Sequence, residues 1–319
     1  MAERARPPAI AAIDIGSNSL KLAVARLDPS GAIEEFDRAI DTVRIGRGLD
    51  AAGAIAEDRV EAAMTALAAM SERARAQGAT RVLAVATEAV RRAANGEAFM
   101  ARVRDELGIE AEIISGDREA ALSFAGMAVL TDLSGLVVIG DIGGASTEVI
   151  IARDGEMQAA SSHPVGSGRL ADRHIAANPP EVAELAACRA DALEVLASSP
   201  IGPFPSGADV RLVLAGGTGE LMGKMAGRER WSAADAERVL GETTALPASE
   251  LAARLEIQEA RARVLPAGMA AAMALADLTQ PGAIEAARSG IRTGLFMEAF
   301  GTNRVAGRVR SGPGGKPSE

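Results

Sequence analysis

Apolar and polar positions alternate along this chain in segments that predict strands separated by helices. Residues 9–27 form two apolar runs around a short polar turn, a pattern typical of a β-hairpin that bends at Gly16. Apolar runs of strand length follow at 81–86 and 111–114, and an amphipathic helix is predicted between them at 97–107. Alternating strands and helices predict an α/β protein.

The hairpin pattern occurs a second time. Residues 137–152 repeat the order found at 11–27: an apolar strand, Asp-Ile-Gly, hydroxyl residues and a second strand. Helices are predicted before and after this repeat, at 117–130 and 181–197, and a further strand at 211–215. The repetition indicates two related halves that face each other.

Three glycine-containing loops follow apolar runs. Without a Cβ, glycine lets the backbone approach an anion closely, so that successive N–H groups and nearby hydroxyls can point at it. Three such loops predict a polyphosphorylated ligand, although helix capping and turn formation explain the same residues, most of all in the third loop. The predicted phosphate-binding residues are Gly16, Ser17, Asn18 and Ser19; Gly143, Gly144, Ala145, Ser146 and Thr147; and Gly216, Gly217 and Thr218.

The composition of the chain limits the classes of function that it can have. With 319 residues and 48% hydrophobic residues the chain can bury a core that divides into two domains. The net charge of -9 and the absence of tyrosine argue against a nucleic-acid partner, so local basic residues or a metal must hold any polyanion. The single cysteine, Cys188, favours a cytoplasmic protein. The apolar stretch 267–278 is too short for a membrane span and contains Asp277.

Six motifs in order closely resemble the exopolyphosphatase and guanosine pentaphosphate phosphatase family, in its short two-domain form. Besides the two Asp-Ile-Gly loops they are Ala86-Thr-Glu-Ala-Val-Arg91, Ile114-Ser-Gly-Asp-Arg-Glu-Ala120, Pro164-Val-Gly-Ser-Gly-Arg-Leu170 and Ala215-Gly-Gly-Thr218. The chain departs from the family at Ala145, where relatives often have a third glycine, and at Thr293, where they often have glutamate.

The resemblance implies two ribonuclease H-like domains of the actin-like ATPase superfamily with a ligand cleft between them, and Mg²⁺ as cofactor. We expect the first domain at 1–125, the second at 126–305 and a flexible tail at 306–319. A helix near 295–305 is placed to pack back on the first domain. A homodimer is expected only from the general frequency of twofold assemblies.

The chemistry requires an activated water, a cation and groups that hold phosphate. Glu119, in the first turn of a helix, is the predicted general base, although an acidic residue there also complements the helix dipole. Asp14, Asp141 and Glu148 are predicted to hold the metal, while the alternative for the two aspartates is to cap turns.

Positive charge for the substrate is expected from Arg91, which the resemblance places in a phosphate-contacting motif. Lys21, Arg44 and Arg47 are lesser candidates.

The leading hypothesis is an exopolyphosphatase that releases terminal orthophosphate from inorganic polyphosphate. A phosphatase of guanosine pentaphosphate, a phosphorylated guanosine nucleotide, is the alternative with the same catalytic core, and other nucleoside polyphosphates fall in the same class. An ATP-dependent kinase of the same superfamily and a non-catalytic sensor of alarmone or polyphosphate are the remaining hypotheses.

Overall fold

The computed structural model describes residues 8–199, 201, 209–287 and 289–306. Apart from Ala306, the tail predicted at 306–319 lies outside these residues. No helix among the described residues is long and apolar enough to cross a bilayer.

The first half of the molecule is a five-stranded mixed sheet with the strand order β3-β2-β1-β4-β5. Strand β1 pairs antiparallel with β2 and parallel with β4, while β2 and β3 are antiparallel and β4 and β5 parallel. The strands are β1 (Ala9–Ile15), β2 (Leu20–Leu27), β3 (Ile33–Asp41), β4 (Ala79–Ala86) and β5 (Glu110–Ile113). The helices are α1 (Leu49–Ala52), α2 (Glu57–Ala76), α3 (Glu88–Arg92) and α4 (Gly96–Leu107).

The second half repeats this arrangement with one extra strand, in the order β10-β11-β9-β6-β7-β8. Helix α5 (Gly116–Ala128) leads into it. Its strands are β6 (Leu136–Ile142), β7 (Thr147–Arg153), β8 (Glu156–His163), β9 (Val210–Ala215), β10 (Arg230–Trp231) and β11 (Ala283–Ala286). Its helices are α6 (Ser167–His174), α7 (Val182–Leu196), α8 (Gly216–Ala226), α9 (Ala233–Thr244), α10 (Ala248–Leu255) and α11 (Glu259–Thr279), and α12 (Ile291–Phe300) follows.

The two sheets confirm the predicted α/β class with paired ribonuclease H-like halves. In both, a strand that carries Asp-Ile-Gly is central, turns antiparallel into the next strand and pairs in parallel with a later one. Central strands are covered on both faces, so their sequences are continuous apolar runs. All seven residues of β1 and all six of β9 are buried.

Helix α11 is the centre of the second half's core. From Ala267 to Ala276 every residue is buried, against β6, β9 and α7. The apolar stretch noted in the sequence is therefore an internal helix, hydrophobic on all sides because protein surrounds it.

Helices α5 and α12 pack against each other beside the first sheet. A Cβ at Gly126 would collide with the backbone of Gly290, so glycine is required for this approach. Leu295 and Phe296 of α12 share a core with Ile10 of β1. Helix α5 also contacts β7 and β8 of the second half, and the division of the chain at residue 125 stays a prediction.

Candidate functional site

The site contains two equivalent hairpin turns, one from each half. In the first, Asp14 at the end of β1 lies opposite Lys21. In the second, Asp141 near the end of β6 lies opposite Glu148. Each turn is closed by one backbone hydrogen bond from the glycine of Asp-Ile-Gly, to Ser19 in the first half and to Ser146 in the second. The same local sequence therefore builds the same turn twice.

The two turns touch each other across the cleft. A Cβ on Gly144 would lie 2.8 Å from the backbone nitrogen of Asn18, which explains the glycine at this position. The Asn18 amide donates to Ser167 Oγ at 3.1 Å, and Ser167 Oγ donates to the carbonyl of Gly143 at 3.0 Å. Loops from both halves are thus in direct contact.

The third glycine loop joins them from β9. Gly216 has φ +73°, and a Cβ there would lie 2.8 Å from Asp141 Oδ1. Gly216 is also the first residue of α8, so the helix N-terminus faces the same space. The carbonyl of Gly217 accepts from Arg261 Nη2 at 3.3 Å.

These loops surround a cavity of about 510 Å³ between the halves. Most predicted site residues line it: Asp14, Gly16, Ser17, Asn18, Ser19, Glu119, Asp141, Gly143, Gly144, Ser146, Glu148, Gly216, Gly217 and Thr218. Lys21 lines it as well, but Arg44 and Arg47 do not.

Three predicted residues lie behind the cavity wall. Thr147 is fully buried, and its hydroxyl donates to the carbonyl of Val165 at 2.6 Å. Ala145 is buried beside it in the same loop. Arg91 donates to the carbonyl of Ile114 at 2.6 Å and lies 3.3 Å from Glu119 Oε2. Arg91 therefore reaches the cavity through Glu119.

Four carboxylates, those of Asp14, Glu119, Asp141 and Glu148, crowd one part of the cavity. Burial, with the nearby Glu148 and Asp14 carboxylates, raises the pKa of Glu119 to about 10. Burial and the Asp141 carboxylate raise the pKa of Glu148 to about 8, and burial raises that of Asp141. Lys21 lowers the pKa of Asp141, and Arg91 lowers those of Glu119 and Glu148, but burial outweighs both, so these carboxylates are only partly compensated.

Hydroxyl groups hold two of these carboxylates in place. Ser123 Oγ donates to Asp141 Oδ2 at 2.9 Å, and Ser162 Oγ donates to Glu148 Oε1 at 2.7 Å. Lys21 Nζ lies 3.7 Å from Asp14 Oδ2.

The donor set fits Mg²⁺ bound together with substrate. No three His, Cys, Asp or Glu side chains in the described part of the chain converge into a complete metal cage. Mg²⁺ is usually held by one or two carboxylates together with water and substrate phosphates, so a complete cage is not required. The charge on Asp141 and Glu148 that Lys21 and Arg91 leave uncompensated is what such a cation would neutralise.

Three arginines also line the cavity, namely Arg38 of β3, Arg261 of α11 and Arg292 of α12. Arg38 forms an ion pair with Glu35 and Arg261 with Glu220, and both carboxylates line the cavity too. Arg292 Nη1 donates to the carbonyl of Leu22 at 2.9 Å, and burial lowers its pKa. Sequence reasoning missed these three arginines, since Arg38 precedes the other two by more than 200 residues. The only local signal was Gly290-Ile-Arg-Thr-Gly294, recognised for its Thr293 and not for its arginine.

The sequence model of the Ppx/GppA phosphatase family matches residues 23–303. Exopolyphosphatase 2 of Mycobacterium tuberculosis is 35% identical over 189 residues, which cover 56% of this chain and 59% of that protein. The guanosine-5'-triphosphate,3'-diphosphate pyrophosphatase of Photobacterium profundum is 32% identical over 168 residues, 53% of this chain and 34% of that protein. The chain thus spans less than two thirds of either curated relative.

A solved structure shares the fold over nearly the whole chain. The crystal structure of an exopolyphosphatase from Cytophaga hutchinsonii superposes with a TM-score of 0.82 at 23% sequence identity. The superposition covers 92% of this chain and 98% of that one.

Proposed function

Because the chain belongs to the Ppx/GppA phosphatase family, we propose that it hydrolyses the terminal phosphoanhydride bond of inorganic polyphosphate and releases orthophosphate. The observation that carries this proposal is the make-up of the cavity lining. Four crowded carboxylates, three arginines and three glycine loops all contribute to this lining. A linear polyanion can place its terminal phosphate among the loops and its next phosphates against the arginines.

Glu119 is the proposed general base. Its pKa of about 10 makes the carboxyl a base only once ionised, and a cation bound beside Asp14, Asp141 and Glu148 would favour that form. In the ionised form it takes a proton from a water whose oxygen attacks the terminal phosphorus in line. The bond from that phosphorus to the bridging oxygen breaks, and the shortened chain leaves with this oxygen. Backbone N–H groups of the glycine loops stabilise the negative charge on the oxygens of the phosphoryl group during its transfer.

Asp14, Asp141 and Glu148 are the proposed Mg²⁺ ligands, directly or through water. When bound, the cation would neutralise the buried carboxylates and the phosphoryl oxygens of the substrate. The described residues that line the cavity include six carboxylates and only four basic side chains. With all six carboxylates ionised the lining is net negative, so a cation would allow both the ionisation of these carboxyls and the binding of a polyphosphate.

Arg91 is proposed to orient Glu119. Its positive charge lowers the pKa of this carboxyl against the larger effect of burial. Because Arg91 lies behind Glu119, we expect it to keep the carboxylate aimed at the attacking water.

Guanosine pentaphosphate is the second candidate substrate. Four aliphatic side chains, Ile40, Leu221, Val264 and Leu265, share the cavity lining with the arginines. A linear polyphosphate has no apolar part to place there, whereas a nucleoside does.

The test is orthophosphate release by the purified chain with and without Mg²⁺. Polyphosphates of several lengths, guanosine pentaphosphate and ATP are compared at equal concentration of terminal phosphate. Preference for polyphosphate supports the leading proposal, and preference for a nucleotide transfers it to the second candidate. Absence of release from every substrate contradicts both.

A Glu119→Gln variant tests the base. We expect kcat to fall by about 10²- to 10⁴-fold while substrate binding, measured by calorimetry, is retained. Turnover at the wild-type rate would contradict the assignment of Glu119.

Two further expectations follow from the sequence. We propose a cytoplasmic homodimer, to be checked by fractionating cells and by light scattering of the purified protein. Neither bears on the chemistry above.

A further inference from the structure

A row of alternating charges leads away from Glu119 without entering the cavity. Glu119 Oε2 lies 3.3 Å from Arg91 Nη1, and Arg91 Nη2 donates to Glu88 Oε2 at 2.7 Å. Glu88 Oε1 lies 3.7 Å from Arg92 Nε, and Arg92 Nη1 donates to Asp50 Oδ1 at 2.8 Å. Five side chains of the first half and of α5 thus form one continuous path.

Asp50 carries this path into the second half. Its Oδ1 also accepts from Arg169 Nη2 at 2.9 Å, and its Oδ2 lies 3.6 Å from Arg173 Nη2. Both arginines belong to α6. The Arg169 side chain is only 7% exposed, so it is held in a fixed position.

Helix α6 is itself attached to the second glycine loop. The backbone N–H groups of Gly168 and Arg169 donate to the carbonyl of Gly144 at 2.8 and 3.0 Å, and that of Ser167 donates to Gly143. The path therefore connects a loop proposed to hold phosphate with the proposed base. It runs through the interface between the halves.

We propose that Asp50, Arg92 and Glu88 are positioning residues that couple the approach of the two halves to the placement of Arg91 against Glu119. This inference rests on the proposed function. Helix α3 carries Glu88, Arg91 and Arg92. It has five residues and is too short to be rigid alone. If the halves separate, Asp50 loses its α6 partners, and Arg92 and Glu88 are free to rearrange. Arg91 then loses the carboxylate that holds one side of its guanidinium group.

Stability is a poor explanation of this arrangement. Exposed ion pairs contribute little to the free energy of unfolding, and the Asp50 and Arg92 side chains are more than 40% exposed. The contribution of these ion pairs would then be to orient the Arg91 side chain.

The chain offers a matched control in the same helix. Asp172 of α6 forms an ion pair with Arg44, which also joins the two halves. Among the described residues Arg44 has no ion pair with Asp50 or Glu88, and Asp172 has none with Arg91 or Arg92. Asp172→Asn therefore removes an interface contact of the same kind without interrupting the path.

The experiment measures kcat and KM for polyphosphate at saturating Mg²⁺ in the full chain. We expect Asp50→Asn and Glu88→Gln each to lower kcat by about 10-fold with KM within about 2-fold, and Asp172→Asn to change kcat by less than about 2-fold. The Asp50→Asn and Glu88→Gln double variant should lose no more than the worse single variant, because both changes interrupt one path. Asp50→Glu should recover most of the lost kcat.

Equal losses in Asp50→Asn and Asp172→Asn, or losses that multiply in the double variant, would overturn the proposal. A second measurement does not depend on turnover. Hydrogen exchange of the amides at 88–92 should be faster in Asp50→Asn than in the wild type and unchanged in Asp172→Asn. If the wild type releases no orthophosphate, the proposed function fails, and unchanged exchange in Asp50→Asn then rejects the positioning role separately.

Discussion

The two hairpins that form the site share a backbone and differ in charge. In the first half the residue opposite the aspartate is Lys21, whose Nζ lies 3.7 Å from Asp14 Oδ2. At the equivalent register in the second half the residue opposite Asp141 is Glu148. One hairpin compensates its carboxylate, whereas the other adds a second one. The same backbone turn therefore has a different charge in each half, because the residue opposite the aspartate is of opposite sign.

The difference has a cost in stability. Glu148 and Asp141 receive hydrogen bonds from serine hydroxyls, which supply dipoles but no opposite charge. Burying uncompensated carboxylates destabilises the folded protein unless a cation binds. The second hairpin therefore presents two carboxylates to a cation, and the first presents one carboxylate paired with Lys21.

The largest effect is expected from copying the first hairpin onto the second. Glu148→Lys places an ammonium group opposite Asp141. This group takes the place of the positive charge that we assign to Mg²⁺. We expect kcat to fall on the order of 10³-fold, because a fixed amine cannot coordinate phosphate and water as the cation does. Orthophosphate release across a Mg²⁺ titration measures this, and Glu148→Gln is the control of similar shape. Activity that stays Mg²⁺-dependent and near wild type in Glu148→Lys would contradict the metal role.

Local patterns were enough to predict the hairpins and the loops between them. Asp-Ile-Gly after an apolar run specifies a turn within a few residues. This turn also sets the pairing register of its two strands, so neighbouring residues alone are enough to predict it. Strand β3 was not predicted, because as an edge strand it mixes Glu34, Glu35 and Asp37 with few apolar residues. Helix α6 was recognised only as a motif, since it is short and begins with the helix-poor run Gly166-Ser-Gly168.

The site was predictable only where its residues belong to the loops. Arg38, Arg261 and Arg292 reach the cavity from β3, α11 and α12, and their convergence depends on how the halves pack. The sequence also could not distinguish Ser146 from Thr147. These neighbours point to opposite sides of the loop, and only Ser146 lines the cavity.

A smaller effect is expected from removing the compensating charge of the first hairpin. Lys21→Met leaves Asp14 without its ion pair and removes a cationic group from the cavity lining. We expect kcat/KM for polyphosphate to fall by about 10-fold, mainly through KM, as lost charge-assisted contacts are worth about 1.5–3 kcal/mol. Steady-state kinetics measure this, and Lys21→Arg should retain most activity. An unchanged KM in Lys21→Met would show that this charge does not contact substrate.

The same difference in charge between the two hairpins predicts how the free energy of unfolding depends on pH when no metal is bound. Burial raises the pKa of Glu148 to about 8 in the folded protein, above its ordinary value of 4.5. Between these values the folded state holds a proton that the unfolded state has lost, so stability falls as pH rises from about 5 to 8. Thermal unfolding in EDTA should show this fall, and Mg²⁺ should reverse it most strongly at pH 8. Glu148→Gln should make this fall less steep without abolishing it, because burial also raises the pKa values of Glu119 and Asp141. An equally steep fall in that variant would show that Glu148 does not contribute.

The smallest effect on activity is expected at Thr147, which occupies the register of Leu20 in the first hairpin. Its buried hydroxyl donates to the carbonyl of Val165 at 2.6 Å and does not line the cavity. Thr147→Val leaves this carbonyl without its donor, which costs about 1–3 kcal/mol of unfolding free energy. Urea unfolding measures that loss, while kcat and KM at 25 °C should stay within about 2-fold of wild type. A large loss of turnover in a variant that is fully folded would mean that Thr147 contacts phosphate after all, and that the second loop rearranges when substrate binds.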